Sequence, residues 1–217
     1  MTDRASFLAA IRATPRGEDP GLPDRIQAPD APTELRAGES PVERLVAETE
    51  LVSAEPHRVA RASVGEYVAE LLRASGSTEV ALTEDLAAQL VPIRTACEAV
   101  GVHADDYRVV ATDRARASRL HATVTGCAAA VAATGSIVTT AAGAGRAGAL
   151  IAPLHICVVE ETQIVDGLHA LFDGEALAGA GSLLALQSGP SRSADIEKVL
   201  ILGVHGPGVV HLVIVGD

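Results

Sequence analysis

The period of the apolar positions changes several times along the chain, and each change marks an element. Phe7, Leu8 and Ile11 share one face of a short amphipathic helix over residues 1–12. Six prolines among charged residues (Pro15, Pro20, Pro23, Pro29, Pro32 and Pro41) then predict an extended arm without regular structure. Such an arm either hangs loosely or wraps a neighbouring subunit. Residues 41–54 add a short helix or strand around Val42, Leu45, Val46 and Leu51. Within 57–74, Val64, Tyr67, Val68, Leu71 and Leu72 recur at helical spacing, and Gly76 ends the run. Residues 1–56 therefore read as helix and arm, and residues 57–217 as an α/β domain.

From there strands and helices alternate. The pattern predicts strands over 80–82, 107–111, 122–133, 136–142, 155–159, 183–186 and 211–215. It predicts helices over 85–100, 164–172 and 194–200. This alternation implies a three-layer α/β/α architecture. The non-helical run around 122–160 makes the sheet mixed rather than purely parallel.

Composition narrows the function. Aromatic residues are 2% of the 217, so Ala, Val, Leu and Ile must build the core, and base-stacking platforms are absent. Seventeen basic against 28 acidic residues give a net charge of −11, which repels a phosphate backbone and excludes nucleic acid. Lys198 is the only lysine, so Schiff-base and phosphate-loop chemistry have a single candidate. Cys97, Cys127 and Cys157 form no CxxC pair and cannot ligate an iron–sulfur cluster or a structural zinc. Their odd number, without a secretory leader, suggests reduced thiols in a cytoplasmic protein. Residues 120–145 lack Asp, Glu, Lys and Arg, but Ala, Gly, Thr and Ser dominate them. A buried sheet suits them better than a membrane span.

Three loops carry candidate chemistry, each beyond a predicted strand, where open α/β sheets bind ligands. In the first, Thr134, Gly135 and Ser136 are followed by Gly145 and Arg146. Freed backbone N–H groups, two hydroxyls and a guanidinium suit an anion there, although a hairpin turn with a flexible loop explains the same residues. The second holds Ser188, Gly189, Ser191, Arg192 and Asp195. It reads as an anion site at a helix start, or as a helix capped by Ser193. In the third, His205 and Gly206 precede the last strand, where the imidazole serves as acid–base group or loop brace. No HxH or HExxH spacing supports a metal, and there is neither a GxSxG elbow nor a GxGxxG turn joining a strand to a helix.

Read in order, these stretches resemble the lactate utilization protein C family, whose domain is also called LUD or DUF162. The matching residues are Val124 to Ala128, Ala132 to Val138, Gly145-Arg146, Leu150 to Ile156, Ser188 to Glu197, and Gly203 to Pro207. They span roughly residues 76–217 and leave the arm uncovered. The resemblance implies a fold similar to the ribose-phosphate isomerase, glucosamine-phosphate deaminase and CoA-transferase superfamily. It also implies a part in oxidising L-lactate to pyruvate beside iron–sulfur partner proteins, this chain being the cluster-free subunit with no cofactor of its own. Ala133 stands where the family usually has a carboxylate, so direct catalysis does not follow from the resemblance. A stand-alone enzyme acting on a phosphorylated or acyl-CoA substrate, and a non-catalytic binding or assembly module, stay open beside it.

Overall fold

The computed structural model describes residues 38–143, 148–194, 200–203 and 205–217, with isolated positions 3, 4, 6, 9, 13 and 35. The chain divides into two units, Met1–Pro32 and Thr33–Asp217. In the first, positions 4, 6, 9 and 13 are helical, and the Ser6 hydroxyl donates to the Asp3 carboxylate at 2.9 Å. Phe7, Leu8, Ile11 and the prolines from 15 to 32 lie outside the described residues.

The second unit begins with α1 (Pro41–Leu51), whose proline stands in the first turn, where a missing N–H costs nothing. Next come β1 (Glu55–Ala60), α2 (Val64–Ala74), β2 (Glu79–Leu82), a 3-10 stretch (Glu84–Gln89), α3 (Leu90–Ala99) and β3 (His103–Asp106). Helices α4 (Tyr107–Thr112) and α5 (Arg114–Ala117) lead to β4 (Ala122–Thr125), β5 (Ala129–Val131), β6 (Ser136–Thr140) and β7 (Leu154–Glu160). After β8 (Ile164–Val165) and α6 (Leu168–Asp173) follow β9 (Leu184–Gln187), β10 (Arg192–Ala194), β11 (Leu200–Leu202) and β12 (Val209–Gly216).

The central sheet runs β1-β12-β7-β4-β2-β3 and every pairing in it is parallel. Parallel sheets need both faces covered, and alternate side chains show how this one is. Val80, Leu82, Val124, Ile156, Val213 and Val215 pack against Val64, Val68 and Leu72 of α2 and Ile93 of α3. On the other face Ala81 meets Tyr107 and Val110 of α4. There, too, Val159, Leu212 and Ile214 meet Leu45 of α1 and Ala130 and Ile137 of a second sheet. That sheet, β8-β5-β6-β9, is mixed: β6 is antiparallel to β5 and β9, whereas β5 and β8 are parallel. The layered α/β architecture is as the sequence pattern predicts. The antiparallel pairing it implied for residues 122–160 lies in the second sheet, outside the central one, and β10 and β11 form a separate antiparallel pair. The charge-free stretch after residue 120 supplies buried β4, β5 and β6, and no helix among the described residues is long and apolar enough to cross a membrane.

Several boundaries differ from the sequence pattern, each for a local reason. The strand expected over 122–133 breaks at Gly126, whose N–H turns to the Asp85 carboxylate, so β4 and β5 belong to different sheets. Residues 107–111 are helical because the Asp106 side chain accepts from the Arg108 N–H and caps α4. The strand is instead His103–Asp106, a half-exposed edge without an apolar run. Ala87, at φ 48° and ψ −115°, splits the expected 85–100 helix into the 3-10 stretch and α3. Gly167 divides 164–172 into β8 and α6. Arg192–Ala194 pairs antiparallel with Leu200–Leu202, so residues 194 and 200, expected to bound a helix, are in strands. Residues 195–199 lie outside the described residues.

Candidate functional site

Two neighbouring strands of the central sheet send the chain to opposite faces. From β2 it passes through the 3-10 stretch to α3, on the face of α2; from β4 it passes to β5 in the second sheet. Loops that part in this way leave a crevice at the carboxyl edge, the usual ligand position of such sheets. Asp85 occupies it.

The crevice is built from small residues and one carboxyl. The Thr83 N–H donates to the Val124 carbonyl at 3.1 Å, carrying the β2–β4 pairing one residue further. The Thr83 hydroxyl donates to Asp85 Oδ1, and so does the Gly126 N–H, at 3.0 Å. Burial nevertheless raises the Asp85 pKa above its ordinary value, outweighing both bonds. Glycine is required on two sides. A Cβ at Gly126 would sit 2.2 Å from the Asp85 carbonyl oxygen, and one at Gly143 would sit 2.7 Å from Asp85 Oδ2. Two residues on, Ala87 holds the left-handed φ that non-glycine residues rarely adopt, and such strain gathers at functional sites.

Beside Asp85 lies a cavity of about 310 Å³ lined by Thr83, Glu84, Asp106, Tyr107, Arg108 and Gly143. Arg108 is paired with Glu84 at 2.7 Å, both exposed, which brings a guanidinium to an otherwise acidic rim. Gly143 opens the glycine-rich loop singled out in the sequence, so that loop starts at the crevice. Gly145 and Arg146 lie outside the described residues.

Behind Gly126 a polar layer separates the two sheets. His155 is fully buried. Its Nδ1 donates to Gln187 Oε1 at 3.1 Å, and its Nε2 accepts from the Thr125 hydroxyl at 2.9 Å. That arrangement needs the neutral ring, and burial lowers its pKa to about 4. In the second sheet, Ser136 is the register partner of Val131, and its Oγ lies 2.7 Å from Thr134 Oγ1 and 2.5 Å from Ser188 Oγ.

The fold thus gathers Thr134, Ser136 and Ser188 into one hydroxyl cluster. Gly135 backs onto α1, where a Cβ would lie 2.6 Å from the Glu48 carbonyl carbon. Gly189 and Arg192 both meet the end of α1. Arg192 Nη2 donates to the Val52 carbonyl and, at 3.0 Å, to Ser53 Oγ. Ser191 joins Gly206 instead: its N–H donates to the Pro207 carbonyl at 2.8 Å, and its own carbonyl accepts from Gly203 N–H at 2.9 Å. His205 is exposed, and Asp195 lies outside the described residues. Cys127 is buried, and the neighbouring Cys157 and desolvation push its thiol well above the ordinary range, so it is no nucleophile.

Asp85, Gly126 and Gly143 escaped sequence reasoning as a set because nothing in their spacing links them. The usable signal was the Thr83-Glu84-Asp85 run directly after a predicted strand. The family model of the LUD domain matches residues 42–215. The chain belongs to the LUD domain family. Among its relatives, lactate utilization protein C of Deinococcus radiodurans is 41% identical over 108 residues, which cover 47% of this chain and 50% of the relative. Lactate utilization protein C of Shouchella clausii is 35% identical over 79 residues, covering 35% of this chain and 34% of the relative. The chain therefore spans half or less of the length of these curated relatives in the matched region. The crystal structure of a DUF162 family protein from Deinococcus radiodurans superposes with a TM-score of 0.57 at 26% identity, over 81% of this chain and 94% of that one.

Proposed function

We propose that this LUD domain protein serves lactate utilization in the cytoplasm as a subunit without a cluster of its own. In this reading L-lactate becomes pyruvate by losing two electrons and two protons, and the electrons pass to iron–sulfur partner proteins. The role is supported by the kinship with proteins named lactate utilization protein C. The site is carried by one observation, a carboxyl of raised pKa held by Gly126 at the parting of β2 and β4. Such a carboxyl exchanges a proton with a small carboxylate ligand more readily near neutral pH than an ordinary Asp does. Arg108 at the rim and Arg146 on the loop that Gly143 opens are the groups that would hold the ligand's charge.

The test is growth on L-lactate of a strain lacking the gene, complemented with the wild-type chain or with Asp85→Ala. Folded Asp85→Ala protein that fails to restore growth is the expected result; full growth would remove the crevice from the reading. The raised pKa of Asp85 also favours a second reading, a stand-alone enzyme using it as general acid or base. Lactate-dependent dye reduction by the pure, cofactor-free chain would favour that reading over the subunit role.

A further inference from the structure

At the opposite edge of the central sheet, near the amino ends of its strands, a second constellation has no part in the crevice. Glu55 and His57 are two residues apart on β1 and so face the same side. His211 on β12 is the register partner of Glu55. Val59, Val213 and Val215 share this parity and pack under α2, which places the three side chains on the helical face of the sheet. Tyr67 of α2 reaches the same point.

Three lone-pair atoms converge there. His57 Nε2 lies 3.0 Å from His211 Nδ1, and His211 Nδ1 lies 3.4 Å from Glu55 Oε2. All three ligand atoms fall within 4.8 Å of one another. With both rings neutral, the His57–His211 contact holds one proton. If His57 carries it, the Glu55 carboxylate faces a bare nitrogen lone pair. If His211 carries it, two acceptors compete for it. In tetrahedral zinc sites the ligand atoms stand about 3.3 Å apart, given bonds of about 2.0–2.1 Å. The two spacings from His211 Nδ1 lie within a few tenths of an ångström of that value, the third is no more than 4.8 Å, and paired strands fix the backbone beneath them.

We propose that Glu55, His57 and His211 bind a divalent zinc-class metal ion, with His57 Nε2, His211 Nδ1 and a Glu55 oxygen as ligands. Binding displaces the shared proton to the far nitrogen of its own ring, so both imidazoles stay neutral and no proton is released. His57 Nδ1 then donates to the Tyr67 hydroxyl, now 2.9 Å away, and this bond fixes the ring and its tautomer as outer partners do in zinc sites. His211 is 9% exposed, whereas the Glu55 side chain is 62% exposed. A fourth ligand position therefore opens toward solvent. Two imidazoles and one carboxylate suit zinc, cobalt or nickel better than magnesium or calcium.

The test titrates tag-free, chelator-treated chain with Co²⁺, following its visible absorption, and then displaces the cobalt with Zn²⁺. One Co²⁺ per folded chain is expected, with affinity reduced 100-fold or more in His57→Gln and His211→Gln. Tyr67→Phe keeps all three ligands and should weaken binding 10- to 100-fold, the range for a lost outer partner. Glu55→Gln, at an exposed position, keeps the fold and should also weaken binding. Circular dichroism checks that each variant is folded. Absence of stoichiometric uptake overturns the site, as does uptake unchanged in Glu55→Gln and the two histidine variants.

Discussion

The Nδ1 of His155 donates to Gln187 Oε1 at 3.1 Å, and this bond ties β7 of the central sheet to β9 of the second. It requires a neutral ring, because Nε2 accepts from Thr125. Burial, opposed by the Gln187 bond, lowers the ring's pKa from 6.5 to about 4. An unfolded chain protonates this histidine as pH falls below about 6.5, whereas the folded chain resists until about pH 4. Its contribution is therefore complete above pH 6.5 and declines as pH falls toward 4, by about 3 kcal/mol in all. Urea unfolding at several pH values should show this decline, and His155→Gln should flatten it. An equal decline in both proteins would contradict the assignment.

Glycines in this chain separate into two kinds, and stability measurements should distinguish them. At Gly126 a Cβ meets backbone, the Asp85 carbonyl oxygen at 2.2 Å and its carbon at 2.5 Å, which no rotamer change relieves. Gly126→Ala should cost about 3 kcal/mol or more, the upper end for overpacking. Gly76 stands at φ +73° with nothing within 4 Å, so Gly76→Ala meets only backbone strain. That cost is about 1–2 kcal/mol. Thermal denaturation of the two variants gives the comparison, and equal losses would show that the Asp85 loop yields to the methyl.

Arg192 braces a turn. Its guanidinium takes the Val52 carbonyl at the end of α1 and Ser53 Oγ, and Ser53 holds a left-handed φ of 65°. Because the side chain is exposed, Arg192→Ala should lower the unfolding free energy by only about 1 kcal/mol. Ser53→Ala, which keeps the carbonyl bond, should cost less. Loss of growth on lactate at unchanged stability would place Arg192 on the ligand instead.

The alternation of apolar strands and helices was legible because a doubly covered parallel sheet writes continuous Val, Ile and Leu runs, as in β7 and β12. Edge strand β3, His-Ala-Asp-Asp, has no such run and was displaced onto the residues of α4. The break between β4 and β5 was hidden because both are apolar and the cause, Asp85, lies 41 positions earlier. Of the candidate site, the hydroxyls of Thr134, Ser136 and Ser188 could be singled out from their turns, although only the fold shows that they touch. Glu55, His57 and His211 were illegible for the same reason. A register between the first and last strands, 154 residues apart at His57 and His211, brings them together.

Asp85 should also reveal its role through stability. Burial raises its pKa, so the folded chain holds this proton at pH values where the unfolded chain has released it. The sign follows from linkage. The folded state gains as pH falls through the raised pKa toward the ordinary carboxyl value, and above that range it carries the cost of burying the carboxyl. Asn is the same size, and its Oδ1 accepts from the Thr83 hydroxyl and the Gly126 N–H as the carboxylate does. Asp85→Asn should therefore be more stable than wild type at pH 7, by on the order of 1 kcal/mol, as when a functional residue is replaced by one that only packs. The advantage should shrink as pH falls and Asp85 takes up its proton. Paired denaturation curves at pH 7 and near pH 4 measure it, with the lactate-growth assay run on the same variant. Greater stability together with lost growth marks a carboxyl kept for chemistry at the expense of the fold. A variant less stable at both pH values would mean that the ionised carboxylate holds the β2–β4 parting together.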